Sequence, residues 1–430
     1  MYIGTVLKNI REEQGFSLLE IQKKTGIKES QLCRIESGIR FPTDDQIFIL
    51  AKFYNIDSNQ LQIQRESDKI LEILKDIPNQ EKVLDVAKQK LESNGNYLSV
   101  AADSIPGATI PLESRRYIGC KQKLVDWIFD IIKENTSDIK TATDIFAGTG
   151  VITKKMLHLY PNVMMNDTLY SNHIIYKAFF ENSEWSKEKI TSKLSEYNSL
   201  NPKEINDNYF SVNFGGKYFD YDKAKLIGFI REDIENSKSE LTEKEYAILL
   251  ATLIYNIDKT ANTLGHFEAY IKKPIKSTPL KLKLIDVQQF SNLQIFQEDS
   301  NELARSIKSD LVYIDPPYNS RQYSRFYHVY ETLVKWDKPV LSGVAMKPPA
   351  ENMSKYCTSQ APKAFSDLIE NLDAKYLAVS YNNTYNSKSG SLRNHITIKQ
   401  IDEILSRKGN VEKFSWYDDN QEFLFIVKTR

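Results

Sequence analysis

The sequence predicts an α/β fold with a mostly parallel sheet covered on both faces, preceded by a smaller all-helical module. From about residue 111 onward, short apolar runs alternate with helical stretches, which is typical of parallel strands joined by crossover helices. Before residue 65, apolar residues recur instead at three- and four-residue spacings between glycines, which indicates short helices. A chain of 430 residues has room for about two to four domains.

Residues 1–65 are predicted to form four or five short helices, with a glycine turn at Gly26 between two of them. In the helix after this turn, Ile27, Leu32 and Ile35 are expected to pack inward. This leaves donor-rich side chains facing outward near the start of the helix, namely Lys28, Ser30, Gln31 and Arg34. Such a helix suits the major groove of DNA, where the first residues of a recognition helix meet base edges.

The charge of this module leaves a second interpretation open. Residues 1–65 carry nine Lys and Arg against eight Asp and Glu, so no strong positive field favours DNA. A helical interaction module that never contacts DNA is therefore the alternative. The next stretch, 66–110, is predicted to be a connector of one or two helices that ends in an exposed linker over 93–110, rich in Ser, Gly, Pro and Ala.

The alternating pattern occupies residues 111–430. Predicted strands lie at Ala142–Phe146, Val163–Met165, Leu293–Gln297, Leu311–Ile314, Tyr376–Ser380, Val411–Trp416 and Phe423–Val427. Predicted helices lie at Lys121–Lys133, Val151–Leu159, Ala364–Leu372 and Lys399–Arg407. The last two strands are expected to form a hairpin across YDDNQE. Between about 170 and 290 the alternation stops, and we interpret this stretch as a mainly helical insert.

Two short motifs follow the first two strands. The run from Asp144 to Gly150, DIFAGTG, leads from a strand through a glycine turn into a helix, a geometry that brings backbone amides close to a ligand. It lacks the Lys-Ser/Thr of a P-loop and the third glycine of GxGxxG, so both of those sites are excluded. Asp167 ends the second strand, where an acid can accept hydrogen bonds from a ribose diol. A structural turn and a helix cap remain open for these two motifs.

The third motif, Asp315 to Tyr318, follows the apolar strand LVYI directly. Its two prolines fix the backbone and remove two amide donors, so carbonyl groups point into the site. The Asp315 carboxylate and the Pro316 carbonyl can then accept hydrogen bonds from one exocyclic amine, while Tyr318 offers a flat face for a base. This arrangement indicates a planar ring that carries an amino group.

These motifs, in this order, resemble those of the Dam-like class of adenine-N6 DNA methyltransferases. The similarity covers residues 111–430 and rests on YIGCKQKL (117–124), DIFAGTG (144–150), ND (166–167), QEDSNEL (297–303), DPPYNSRQYSRFYHVYETL (315–333) and SYNN (380–383). Residues 3–61 resemble the Cro/repressor-type helix-turn-helix family. Two features depart from the class: Cys120 stands where related sequences usually have Gly or Ser, and 170–290 has no simple match to their target-recognition segment.

The resemblance implies a Rossmann-like S-adenosylmethionine methyltransferase domain with a helical insert, after an all-α helix-turn-helix domain. It implies a cofactor site for S-adenosyl-L-methionine built by Tyr117, Lys121, Asp144, Phe146, Gly148, Gly150, Asp167 and Asp299. It implies a catalytic loop of Asp315, Pro316, Pro317 and Tyr318. The insert becomes the candidate target-recognition region, and Arg321 and Arg325 become candidate DNA contacts because they follow the loop closely.

The expected function is site-specific methylation of the N6 amine of a flipped adenine in double-stranded DNA, as the modification part of a restriction-modification system. A cognate restriction endonuclease is then a possible partner. One alternative is a helix-turn-helix regulator whose second domain senses S-adenosylmethionine. Another is an RNA or cytosine-N4 amino-methyltransferase, because the loop demands only an exocyclic amine.

Composition restricts the classes of protein and of partner that remain possible. Lys and Arg total 57, as do Asp and Glu, so no net charge attracts a polyanion. The three cysteines, Cys33, Cys120 and Cys357, share no metal-like spacing, so we expect no metal, no disulfide framework and a cytoplasmic location. The most apolar helical stretch, Tyr246–Ile257, is too short to span a bilayer, so no membrane partner is expected. The oligomeric state is not predictable from these features.

Overall fold

The computed structural model describes residues 2–74, 80, 84, 109–272, 275, 277–382, 395–416 and 422–430. The chain divides into two compact units, Met1–Leu98 and Ser99–Arg430, which we describe separately. Most of the predicted connector and linker lies outside the described residues. So do Asn383 of the SYNN motif and 417–421 of the predicted hairpin turn.

The N-terminal unit contains five helices in its described part. They are α1 (Ile3–Glu13), α2 (Leu18–Thr25), α3 (Glu29–Glu36), α4 (Asp44–Tyr54) and α5 (Ser58–Leu74). A capping box between Ser17 and Glu20 starts α2, and Gly26 ends it in the left-handed region at φ 76°. The predicted turn between α2 and α3 is therefore confirmed, and Ile27, Leu32 and Ile35 are buried as expected.

Helix α5 continues nine residues beyond the predicted domain boundary at residue 65, since it ends at Leu74. Its later residues pack into the helical unit: the Asp68 carboxylate accepts a hydrogen bond from the Ile3 amide. Arg65, itself buried, donates to the Asp44 carboxylate at 2.6 Å. A domain boundary at residue 65 would cut through a helix that these contacts hold in the N-terminal unit.

The second unit alternates strands and helices as predicted. Its strands are β1 (Thr141–Asp144), β2 (Asn162–Asn166), β3 (Leu293–Phe296), β4 (Lys308–Ile314), β5 (Asp373–Asn382), β6 (Gly409–Trp416) and β7 (Glu422–Thr429). Its helices are α6 (Val125–Asn135), α7 (Val151–Leu159), α8 (Tyr170–Phe180), α9 (Lys187–Ser199), α10 (Tyr209–Phe214), α11 (Tyr221–Asn236), α12 (Glu243–Thr260), α13 (Ser300–Leu303), α14 (Tyr323–Phe326), α15 (His328–Lys335), α16 (Ala361–Asn371) and α17 (Ile398–Lys408). None of the described helices has both the length and the apolar character needed to cross a bilayer.

The seven strands form one sheet in the order β3-β2-β1-β4-β5-β7-β6. Strands β1 to β5 run parallel, and β7 inserts antiparallel between β5 and β6. The order of connection reverses between β1 and β4, so their carboxyl ends open a crevice at a topological switch point. The motifs that begin at Asp144 and Asp315 both emerge at this crevice.

Apolar side chains cover both faces of the sheet. Along β4, Leu311 and Tyr313 belong to one core cluster, whereas Val312 and Ile314 belong to another on the opposite face. The helical stretch 170–290 is not a surface addition, because α12 is buried along most of its length and joins the first of these clusters. The predicted helical character of this stretch is therefore accompanied by a structural role in the core.

Candidate active site

A cavity of about 420 Å³ opens at the carboxyl ends of β1 and β4. Most residues predicted for the cofactor and for catalysis line it: Tyr117, Lys121, Asp144, Phe146, Gly148, Asp167, Asp299, Asp315 and Pro317. Gly150 does not line it. Its φ of 80° requires the left-handed region, and an added Cβ would lie 3.4 Å from Phe180 and Tyr176. Pro316 and Tyr318 also stand outside the lining.

The glycine turn is held in place by side chains from three directions. The Gly148 amide donates to the Asp167 carboxylate at 3.0 Å, and its carbonyl accepts from the Tyr176 hydroxyl at 2.7 Å and from Arg115 at 3.3 Å. Arg115 in turn donates to Asn172 at 2.8 Å. Protein side chains thus fix the conformation of the turn.

Asp167 is already bonded to the protein through both oxygens. Besides Gly148, it accepts from the Leu169 amide at 2.9 Å and from the Asn172 side chain at 3.0 Å. Burial raises the pKa of Asp167, and these donors oppose that shift. The structure therefore places Asp167 at the cavity wall as a turn-forming residue, and its predicted ribose contact stays a prediction.

Asp144, unlike Asp167, uses only one of its two carboxylate oxygens in hydrogen bonds with the described residues. Its Oδ2 accepts from the Thr153 hydroxyl at 2.7 Å, but its Oδ1 is buried without a hydrogen-bond partner among the described residues. Burial raises the pKa of Asp144 to about 7. An unpartnered buried carboxylate oxygen is costly, so this cavity wall suits a ligand that brings a hydrogen-bond donor to it.

The catalytic loop forms a compact polar cluster with Lys121 and Glu422. The Lys121 ammonium lies 3.0 Å from Asp315 and 3.1 Å from Glu422, and it donates to the Tyr318 hydroxyl at 2.5 Å. That hydroxyl donates to the other oxygen of Asp315 at 3.0 Å. Lys121, predicted as a cofactor contact, therefore directs its ammonium to the catalytic loop in this structure.

The electrostatics of Asp315 reflect these neighbours. Burial raises the pKa of Asp315 to about 6, the Lys121 ammonium lowers it, and the Glu422 carboxylate raises it. Both partner carboxylates raise the pKa of Lys121 above its usual value although burial opposes this shift. At neutral pH the cluster consequently holds Asp315 as a carboxylate beside a charged ammonium.

A tyrosine stack joins the cofactor side of the cavity to the segment after the catalytic loop. The rings of Tyr117 and Tyr327 stack with centroids 4.6 Å apart, and the Tyr117 and Tyr323 centroids lie 5.4 Å apart. The Ile118 amide donates to the Tyr327 hydroxyl, and the Tyr323 hydroxyl donates to the Ile118 carbonyl. Tyr117 and Ile118 thus pack against the segment that follows the catalytic loop.

The predicted DNA-contacting residues differ in their exposure and in their contacts with the rest of the chain. In the N-terminal unit, Lys28, Ser30 and Arg34 are exposed, whereas Gln31 is half-buried because its side chain accepts from Gln46 at 3.3 Å. In the second unit, Arg321 lies over the ring of Phe326 at 5.6 Å.

Arg325 folds back onto its own unit, where it donates to the Pro348 carbonyl at 2.5 Å. Of the two candidate arginines after the catalytic loop, Arg321 makes fewer hydrogen bonds within the described part of the chain. Within the described residues, no group of three or more His, Cys, Asp or Glu side chains is arranged to hold a metal ion. The three cysteines are free.

Several residues that hold this site have no sequence motif of their own. They are Arg115, Asn172, Tyr176 and Glu422, whereas Glu331, which also holds the site, lies within the motif 315–333. Glu422 alone offered a signal, since it is an acid at the start of the apolar run FLFIV. The others occupy ordinary helical or loop positions, and only the folded chain brings them to the cavity.

Residues 117–389 match the model of the D12 class N6 adenine-specific DNA methyltransferase family. The chain belongs to this family. Residues 7–61 match a helix-turn-helix family model, which agrees with the predicted Cro/repressor-type module. The expected fold class, a Rossmann-like methyltransferase domain after an all-α module, is confirmed by these matches together with the sheet order.

Curated relatives of this D12-class chain carry names of modification enzymes. It is 32% identical to "Modification methylase StsI" of Streptococcus sanguinis over 73% of this chain and 52% of the relative. It is 34% identical to "Type II methyltransferase M.FokI" of Planomicrobium okeanokoites over 70% of this chain and 48% of the relative. The chain thus spans about half the length of these two. It covers 89% of "Type II methyltransferase M.NlaIII" of Neisseria lactamica, at 31% identity over 69% of this chain.

S-adenosylmethionine, the cofactor that the family implies, fits the cavity of this D12-class chain. Its ammonium is a donor of the kind that the unpartnered Oδ1 of Asp144 lacks among the described residues. A Cβ at Gly148 would lie 3.5 Å from the Tyr117 ring, so the glycine keeps open the space between the turn and that ring. Asp144, Gly148, Asp167 and Asp299 line this cavity, and their predicted contacts with the cofactor stay predictions.

Proposed function

We propose that this chain transfers a methyl group from S-adenosylmethionine to the N6 amine of adenine in double-stranded DNA. One observation supports this most strongly: the glycine turn after β1 and the catalytic loop after β4 line the same cavity. Asp144, whose Oδ1 has no hydrogen-bond partner in the described part of the chain, and Asp315 with its proline brace therefore face one space. A methyl donor and an acceptor amine held there would meet without any large movement of the backbone.

The chemistry asked of the protein is placement and charge stabilisation. The cofactor supplies an electrophilic methyl group on a sulfonium. Asp315 and the Pro316 carbonyl accept hydrogen bonds from the adenine amine and so stabilise the positive charge that develops on its nitrogen. Tyr318 provides the aromatic surface beside the base. Because the amine lies inside a base pair in duplex DNA, the nucleotide must first leave the stack.

DNA recognition divides between the two units in this proposal. Helix α3 presents Ser30 and Arg34 on its exposed side, with Lys28 exposed just before its start and Gln31 partly covered. The stretch 170–290 serves as target-recognition region, and Arg321 contacts the phosphate backbone near the flipped base. The names of the relatives support a role in modification, and we propose a cognate restriction endonuclease as the functional partner.

A methyl-transfer assay tests this proposal. The chain is incubated with tritium-labelled S-adenosylmethionine and duplex DNA, RNA of the same sequence, or no nucleic acid, and the labelled nucleosides are identified. The account predicts N6-methyladenine from duplex DNA alone. Labelled RNA or N4-methylcytosine would contradict the substrate, and tight cofactor binding without any transfer would favour a sensor.

The matched variant pair in this assay is Asp315→Ala and Asp373→Ala. Asp315→Ala is expected to reduce transfer at least about 100-fold with cofactor affinity largely retained, because the carboxylate acts on the acceptor amine. Asp373 lies at the exposed start of β5, where it pairs with Lys308 at 3.1 Å, so its removal should leave transfer unchanged. An Asp315→Ala enzyme with normal turnover would remove the catalytic role of this carboxylate.

A further inference from the structure

The Lys121 cluster consists of Lys121, Asp315, Tyr318 and Glu422. An ammonium has three donors, and this one has three partners: Asp315 at 3.0 Å, Glu422 at 3.1 Å and the Tyr318 hydroxyl at 2.5 Å. Lys121 and Glu422 are each 5% exposed. The substrate amine needs the Asp315 carboxylate as its hydrogen-bond acceptor. The Lys121 ammonium lies directly beside that carboxylate.

This position creates a competition for Asp315. One carboxylate oxygen accepts from Lys121 and the other from Tyr318. A charged ammonium is a stronger donor than the neutral amine of adenine, so an adenine amine gains little by approaching an Asp315 that is already paired. The substrate can use Asp315 fully only if the ammonium has another anion to bind.

Glu422 is that second anion, and it is anchored independently of Lys121. Its Oε1 accepts from the Ser380 hydroxyl at 3.0 Å, and its Oε2 accepts from the Asn382 amide at 3.2 Å. Both donors lie on β5, the strand that pairs with β7 next to Glu422. The carboxylate therefore keeps its place whether or not the ammonium also contacts Asp315.

We propose that Glu422 is a positioning residue that retains the ammonium of Lys121 when the target amine binds Asp315. Glu422 acts through Lys121 and does not touch the substrate. The proposal rests on the proposed function, because it assigns a role only within transfer to an exocyclic amine. It reassigns Lys121 from a cofactor contact to a group that occupies the acceptor site before the base arrives.

The charge balance of the cluster supports this role. Asp315 and Glu422 contribute two negative charges and Lys121 contributes one positive charge, which leaves one net negative charge for the amine that becomes positive during transfer. If Glu422 were absent, the negative charge of Asp315 and the positive charge of Lys121 would cancel. The ammonium would then repel the developing charge at close range in a buried site.

The same groups predict opposite changes in the pH dependence of transfer, which requires ionised Asp315. Among the residues that the structure describes, the charged and titratable groups around Asp315 are Lys121, Glu422, Asp144, Tyr313, Tyr318 and Tyr323. Lys121 lowers the pKa of Asp315 and Glu422 raises it. Removing Glu422 should therefore move the acidic limb of the profile to lower pH, and removing Lys121 should move it to higher pH.

The experiment compares Glu422→Gln, Lys121→Met and the double variant by kcat, KM for DNA and pH profile of methyl transfer. Glu422→Gln is expected to reduce kcat roughly 10- to 100-fold, with a smaller change in KM. Adding Lys121→Met should recover most of that loss, because the competing ammonium is gone. Glu412→Gln on exposed β6 and Lys123→Met beside Lys121 are the controls, and both side chains are exposed.

Rescue separates this role from a merely structural one, since a second substitution does not repair a damaged fold. If Glu422→Gln does not fold, Lys121→Met alone still tests the proposal through an upward shift of about one pH unit in the acidic limb. The inference would be overturned by a double variant that is no more active than Glu422→Gln, or by a Lys121→Met variant whose acidic limb of the pH profile does not move. Either result leaves the proposed function standing as long as the wild type transfers methyl groups to DNA. A wild-type chain that methylates no DNA overturns both.

Discussion

Asp144 lies buried at the end of β1, where its Oδ1 lacks a hydrogen-bond partner among the described residues. Burial raises the pKa of this carboxyl to about 7 from its usual value of 3.8. A raised pKa means that ionisation costs folding free energy. The contribution of Asp144 to stability is greatest below the unfolded-state pKa and is lost as pH rises through about 7.

Asp144→Asn is therefore expected to gain stability relative to the wild type as pH rises from 5 to 8, by about 1–3 kcal/mol. The same change should weaken S-adenosylmethionine binding roughly 10-fold or more, because an anionic acceptor is lost. Denaturant unfolding at the two pH values and calorimetric titration with the cofactor measure both effects. Asp126→Asn, on an exposed side chain of α6, is the control. A stability difference that does not change with pH would contradict this account of Asp144.

Individual residues show where prediction from the sequence ends. Asp144, Gly148 and Asp315 are recognisable because each lies within a short contiguous motif next to a strand. The contact between Lys121 and Glu422 joins residues from near the start and the end of the second unit, and no local pattern encodes it. Likewise, helical spacing predicts that Gln31 faces outward. Its side chain is nevertheless half-buried, because it accepts a hydrogen bond from Gln46 of α4.

At the scale of elements, α8 is held at both ends by charges from other helices. Glu331 of α15 accepts from the Tyr170 and Ser171 amides at 3.1 and 2.8 Å, and Lys244 of α12 donates to the carbonyls of Lys177 and Glu181. Burial raises the pKa of Glu331 to about 7 and lowers the pKa of Lys244 to about 8. When ionised, the carboxylate at the amino end and the ammonium at the carboxyl end both match the helix dipole. Since α8 carries Asn172 and Tyr176, these end contacts position the glycine turn.

Glu331→Gln should loosen the start of α8, because an amide nitrogen would replace one of the two acceptors facing backbone donors. We expect a loss of about 1–3 kcal/mol in unfolding free energy and faster hydrogen exchange at Tyr170 and Ser171. Chemical denaturation and amide exchange measure these effects, with Glu196→Gln on the exposed side of α9 as the control. Unchanged exchange at both amides would show that Glu331 does not hold this end.

All seven strands are predicted, because each appears in the sequence as a short apolar run, whether it is parallel like β1 to β5 or antiparallel like β7 against β5 and β6. The structure extends several of them; β5, for example, runs from Asp373 to Asn382. The core role of α12 was not part of the prediction, although its stretch Tyr246–Ile257 is apolar on nearly all sides, which is typical of a buried helix. The end of α5 at Leu74 was hidden, because helical periodicity continues there without a glycine or proline.

At the scale of the whole molecule, a chain with equal numbers of acidic and basic residues must sort its charge locally to bind DNA. In the N-terminal unit, exposed Lys28 directly precedes α3 and exposed Arg34 lies on it, while Arg11 and Arg65 are engaged with Glu36 and Asp44. The exposed hydrogen-bond donors of that unit therefore include side chains at α3, the helix predicted to recognise DNA.

Arg34→Ala together with Gln31→Ala in the full-length chain is expected to weaken binding to a specific duplex by about 1–3 kcal/mol per lost base contact. Cofactor affinity should not change, because these residues belong to the other unit. Fluorescence anisotropy at several salt concentrations measures the loss, and Lys52→Ala, at an exposed position of α4, is the control. Equal affinities for the wild-type and variant chains would make α3 an interaction helix without a role in DNA recognition.

The most direct test of the central claim is to sequence modified bases in the genome of a methylation-deficient host that expresses this chain or its Asp315→Ala variant. The account predicts N6-methyladenine in one recurring sequence context with the wild type, and none with the variant. Modified cytosine, or adenine methylation that persists in the variant, would contradict the claim that the cavity between β1 and β4 brings a methyl donor to an adenine amine.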